Sequence, residues 1–122
     1  MEERVKYMLM ICRDEGTWEK LSAGERQKIH QDTVELSQEL TARGQYLGGF
    51  PLHPSSSATC VRVRDGKRIV TDGPFAETRE QLGGYMIIDV KDLDEALAVA
   101  ARVPLARTST VEVRPVREGE PT

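Results

Sequence analysis

Two short stretches constrain this chain most. Tyr7 to Cys12 and Tyr85 to Val90 are apolar at successive positions, broken once at Asp89. Each therefore reads as a strand buried on both faces, not one that alternates between core and water. Strands of that kind sit in the middle of a sheet.

The segments between them follow a regular order. Ser22 with Glu25 three residues later is a capping box, in which each side chain satisfies the other's free backbone N–H, and it opens a helix that runs to about Ala42 and closes at Gly44. Ile29, Leu36 and Leu40 fall on one stripe of that helix, and Arg26, His30, Thr33 and Ser37 form a polar seam on its flank. Tyr46 to Phe50 reads as a second strand, and Pro51, His53, Pro54 and three serines then make a loop that cannot continue a ladder. Thr59 to Arg64 alternates, Asp65-Gly66 signals a hairpin turn, and Arg68 to Thr71 returns, giving a half-exposed hairpin. Asp92 and Glu95 repeat the capping logic for a helix carrying Leu93, Ala96, Leu97 and Ala100, which Pro104 ends. Thr110 to Arg114 alternates again, with Val111 and Val113 inward.

Strand, helix, strand, inserted hairpin, strand, helix, strand is the split βαβ order of a ferredoxin-like α+β fold: an antiparallel sheet with two helices on one face. The two doubly apolar strands are the central pair in that topology. Two helices cover one face only, so the other is left as an apolar patch unless something covers it. A second copy's sheet is the economical cover, and a homodimer is expected; the alternative is that the hairpin or the proline-rich loop folds over it.

At 122 residues the chain has room for one core, expected over residues 1–116, with 117–122 a mobile polar tail. No apolar run approaches the roughly 20 residues that span a bilayer, and the alternating charges of Met1 to Lys6 do not resemble a secretory signal, so no membrane role and a cytoplasmic location are expected. Cys12 and Cys60 lack CxxC spacing and read as reduced packing residues; His30 and His53 have no ligand spacing, so no metal and no cofactor are expected. A net charge of −3 gives no pull toward phosphate backbones, and Arg62, Arg64, Lys67 and Arg68 read as a solvated hairpin face, so no nucleic-acid partner is expected.

The candidate site residues concentrate in one segment. In Asp72-Gly73-Pro74-Phe75 the aspartate can bond backbone N–H groups ahead of it, the glycine permits positive φ and the proline fixes the exit, which makes a stiff corner. Glu77, Arg79 and Glu80 follow, and burial there would raise a carboxylate's pKa. Asp72, Gly73, Pro74, Phe75, Glu77 and Arg79 are the expected ligand-binding residues, and the pocket is expected to draw on Asp72 to Glu80 more than on either histidine. Glu77, Asp72 and His30 are the acid/base candidates, and His53 reads as a loop residue. The pairs Gly48-Gly49 and Gly83-Gly84 mark either bulges or close approach of a ligand or partner backbone.

The run Asp72-Gly73-Pro74-Phe75-Ala76-Glu77-Thr78-Arg79-Glu80-Gln81-Leu82-Gly83-Gly84-Tyr85 resembles the DGPF-motif branch of the YCII-related family. Lys6-Tyr7-Met8-Leu9, Val61 to Lys67 and Val111 to Val116 fit as well, so the resemblance spans nearly the whole chain. It implies a ferredoxin-like fold paired as a dimeric α/β barrel, in bacteria, with no settled activity. Better-known relatives carry a histidine on the first helix and an aspartate beside a proline after the second, proposed as an acid/base pair. Thr33 stands at the first position here, with His30 a turn earlier, and Val103 precedes Pro104, so that pair does not carry over. The first functional reading is a small-molecule-binding homodimeric module. Alternatives are a cofactor-free enzyme doing acid/base chemistry with Glu77, Asp72 or His30, and, from the genomic company the family keeps, an accessory partner of a sigma-factor regulatory system.

Overall fold

The computed structural model describes residues 3–119. In chain order the elements are β1 (Val5–Arg13), α1 (Glu15–Lys20), α2 (Ala23–Ala42), β2 (Tyr46–Pro51), β3 (Thr59–Arg64), β4 (Lys67–Asp72), β5 (Gln81–Val90), α3 (Leu93–Arg102) and β6 (Thr110–Pro115), with 3-10 turns at Ser55–Ser57 and Pro104–Arg107. Four strands form one sheet in the order β2-β5-β1-β6, and every neighbouring pair is antiparallel. This is the ferredoxin-like α+β fold. Strands β3 and β4 form a separate hairpin inserted ahead of β5.

The capping signals operate as read. Ser22 Oγ accepts from Glu25 N–H at 3.0 Å and the Glu25 carboxylate accepts from Ser22 N–H at 3.1 Å, which starts α2. Asp92 caps α3 by accepting from Glu95 N–H at 2.9 Å, while the Glu95 carboxylate takes Lys91 N–H at 3.0 Å. Helix α1 carries no apolar stripe long enough to announce it; Asp14 starts it by accepting Thr17 N–H at 3.2 Å.

Alternation decides which side of the sheet is core. Tyr7, Leu9 and Ile11 of β1 and Met86, Ile88 and Val90 of β5 pack with Leu36 and Leu40 of α2 and with Ala96, Val99, Ala100 and Val103. Leu9, Leu40, Ile88, Val90 and Val103 are fully buried. Helix α3 meets the core through alanine and valine, which lets it lie close on the sheet; Leu93 and Leu97 stay on its outer side at 48% and 47% exposure. The opposite sheet face carries Met8, Met10, Tyr85 and Ile87, half-buried by neighbours within the sheet. Helices α2 and α3 lie on the other side.

The hairpin does not fold over that open face. Val61, Val63, Ile69 and Val70 are exposed, so the hairpin is solvated on both sides where the sequence suggested one. The proline-rich loop, from Pro51 to Pro54, is exposed as well. Of the polar tail expected to be mobile from residue 117, Glu118 forms an ion pair with Lys6; residues 120–122 lie outside the described residues. No helix among the described residues is long and apolar enough to cross a membrane.

Candidate functional site

A cavity of about 320 Å³ opens between α2 and the helix-facing side of the sheet. Its apolar wall includes Ile11, Ile29, Val34, Met86, Val103 and Leu105. Arg26, His30, Thr33 and Ser37, the polar seam of α2, line it together, so the seam faces a cavity. Thr33 Oγ1 donates to Ile29 O at 2.8 Å, one turn back along its own helix.

Arg13 is the unusual residue of the wall. It continues the alternation Tyr7, Leu9, Ile11 at the end of β1, so the strand's period turns its side chain into the layer between sheet and helices. Only 8% of it is exposed, and its Nε is buried without a hydrogen-bond partner among the described residues. Burial pushes the guanidinium's pKa down, against the favourable charge of Glu15. A buried charged donor left unpaired costs on the order of 1–3 kcal/mol or more, so such a group in a folded protein calls for an explanation.

Three local devices hold Arg13 there. Register slips between Ile11 and Cys12, which pair with Gly84 and Leu82, so Gly83 is an extra, bulged residue on β5. A Cβ at Gly83 would stand 2.8 Å from Arg13 Nε and 3.0 Å from its Cδ, so the missing side chain is the space the guanidinium arm occupies. Trp18, on the same cavity wall, stacks on the guanidinium with its ring centroid 4.3 Å from Cζ. Glu15, the carboxylate nearest in charge, is engaged elsewhere: it accepts from Ser55 N–H at 2.6 Å and from Ser55 Oγ, bonds that hold its carboxyl below the usual range.

The segment expected to form the pocket lies outside it. None of Asp72, Gly73, Pro74, Phe75, Glu77 or Arg79 borders the cavity, and its wall is drawn instead from α2, with His30 included. Asp72, Phe75, Glu77 and Arg79 are exposed, with Phe75 80% accessible under the guanidinium of Arg62 at 5.8 Å. The acid/base reading of Glu77 and Asp72 required burial, which the surface position of this segment does not supply. The stiff corner itself is present: Gly73 has φ of +93°, its N–H bonds Ala58 O at 2.7 Å, and its carbonyl accepts from Cys60 Sγ at 3.2 Å. The segment reaches the cavity's neighbourhood through Arg79, whose Nε stands 3.5 Å from Asp14 Oδ2, the cap of the helix that carries Trp18. His53 is exposed, in the loop before Ser55. Cys12 and Cys60 are both free thiols, and burial raises the pKa of Cys12.

Sequence reasoning found the α2 seam but missed Arg13 and Trp18. Arg13 had a signal, since it falls in phase with Leu9 and Ile11; a charge at the end of an apolar run reads as a strand's exit unless the next turn is known to fold back. Trp18 had none, because α1 is too short for periodicity.

Two comparisons bear on kinship. The family model described as the YCII-related domain matches residues 5–120. An uncharacterised protein of Rhizobium meliloti (strain 1021) is 36% identical over 112 residues, covering 90% of each chain. The match encloses both central strands, both long helices and the whole cavity wall. The chain belongs to the YCII-related domain family.

Proposed function

We propose that this protein is a small-molecule-binding module that works as a homodimer. The carrying observation is the cavity: about 320 Å³, walled mainly by aliphatic side chains, with a few convergent polar groups from β1 and α2. That volume lies at the lower end of the roughly 300–1,000 Å³ typical of small-molecule sites, and suits a ligand of one or two rings. Thr33 and Val103, the positions at which better-known relatives carry their proposed acid/base pair, both stand on its wall. The enzyme alternative finds His30, Tyr46 and Tyr85 on this wall and no carboxylate, so the carboxylate–histidine pairing of the better-known relatives is missing from it.

The dimer reading rests on the open sheet face. Met8, Met10, Tyr85 and Ile87 form its centre, and Phe50, 69% exposed, sets its ring edge-on to Tyr85 at 6.5 Å. Glu112 and Arg114 flank Met10 and Met8 on β6, carry opposite charges and have no ion-pair partner among the described residues, the self-complementary arrangement a twofold interface uses. Four strands about 4.8 Å apart and about 20 Å long present roughly 400 Å² in projection, half of the ~800 Å² each partner contributes to a stable interface. The exposed valines and isoleucine of the hairpin supply apolar area for the remainder.

Binding is tested by nuclear magnetic resonance with a library of small aromatic fragments. Saturable movement of the Trp18 indole and Gly84 amide signals supports the cavity; fragments that bind without moving either signal contradict it.

A further inference from the structure

We propose that the cavity selects organic anions: a single acidic group held by Arg13, with Arg26 as second donor, on a flat apolar body that lies between α2 and the sheet. This rests on reading the cavity as the binding site and adds the chemical class of its ligand. The protein is acidic overall, with 20 acidic against 17 basic residues, yet no aspartate or glutamate lines the cavity, while two arginines do. Both have an Nε that is buried and without a hydrogen-bond partner among the described residues. Arg13 forms no ion pair there, since Glu15 is turned to Ser55, and the stack on Trp18 occupies the face of its guanidinium while leaving the N–H edge free to bond. A guanidinium held flat, dry and unpaired above a bulge that has no side chain is preorganised for a carboxylate or phosphate oxygen. Ile11, Ile29 and Met86 supply the apolar surface for the rest of the molecule.

The test compares three probes that share one ring system: 1-naphthoate, 1-naphthyl phosphate and the neutral 1-naphthalenemethanol. Each is titrated into the folded full chain while the Trp18 indole and Gly83 amide resonances are followed. The anions should bind at least about tenfold more tightly than the alcohol, the scale of a lost charge-assisted hydrogen bond. Arg13→Gln should abolish that preference, with Arg26→Gln causing a smaller loss. The ratio of naphthoate to naphthyl phosphate affinity tells which acid the site favours. Gly83→Ala keeps the charge but displaces the guanidinium, so it should erode the preference even if Arg13→Gln fails to fold. Equal binding of acid and alcohol to the unaltered protein, or a preference that survives in folded Arg13→Gln or Gly83→Ala, overturns the inference while the cavity stands as a binding site. If neither acid nor alcohol moves the two resonances, the reading of the cavity itself fails.

Discussion

Gly73 holds φ at +93°, and a Cβ built on it would meet nothing within 4 Å, so the obstacle to a side chain there is backbone conformation and not space. Gly73→Val should therefore cost about 1–3 kcal/mol, read as a lower urea midpoint at unchanged m-value. An unchanged midpoint would mean that the corner relaxes freely. Gly83 is the opposite case, with an ordinary backbone and no room, because Arg13 fills the space. The surface carboxylates add a pH dependence whose sign is fixed. Asp14 is held below its ordinary 3.8, first by the Thr17 N–H, and Glu15 and Glu25 below 4.5 by their bonds to Ser55 and Ser22. A depressed carboxylate stabilises the fold above its unfolded pKa, and that contribution is lost as pH falls through the folded value. The melting temperature, followed by circular dichroism, should thus be nearly flat from pH 7 to 5 and fall below about pH 4. A rise on acidification would contradict these bonds.

At the scale of elements, the parts with strong local signals were legible and the parts that depend on distant neighbours were not. The capping box of Ser22 and Glu25 put the start of α2 within a residue, and Ser22→Ala should lower stability by about 1 kcal/mol in thermal or chemical unfolding. The turn at Asp65-Gly66 fixed the hairpin, with Asp65 at φ of +52°. What the hairpin packs against could not be read, because alternation names a buried face without naming its cover; here both faces are exposed. A two-stranded hairpin is marginal alone in water. Amides from Thr59 to Asp72 should exchange with deuterium much faster than those of the β1–β5 ladder in a monomeric variant, and more slowly in the assembled protein. Fast exchange in both would remove the hairpin from the interface. The outward leucines of α3 teach a similar lesson: Leu93 and Leu97 outrank Ala96 and Ala100 in hydrophobicity, but close approach to the sheet favours the smaller pair.

For the whole molecule, the order of elements determined the sheet, since the two stretches apolar on both faces, broken only at Asp89, could only be the central pair. The cavity was not legible, because its wall is drawn from the end of one strand, a six-residue helix, a bulge on another strand and the flank of α2. The motif segment attracted attention through its residue types, yet it lies outside the wall. On the open face, Met10→Glu should convert a species of twice the 13.6 kDa chain mass into one of that mass in sedimentation velocity, without loss of circular dichroism signal. A monomer already in the unaltered protein at micromolar concentration would end the dimer proposal. The central claim is that ligand binds between α2 and the sheet, and a crystal structure grown with 1-naphthoate tests it most directly. The account predicts the carboxylate within about 3 Å of an Arg13 guanidinium nitrogen, with the rings against Ile29 and Met86. Density for the naphthoate on the Asp72 to Glu80 loop, with the cavity empty, would contradict it.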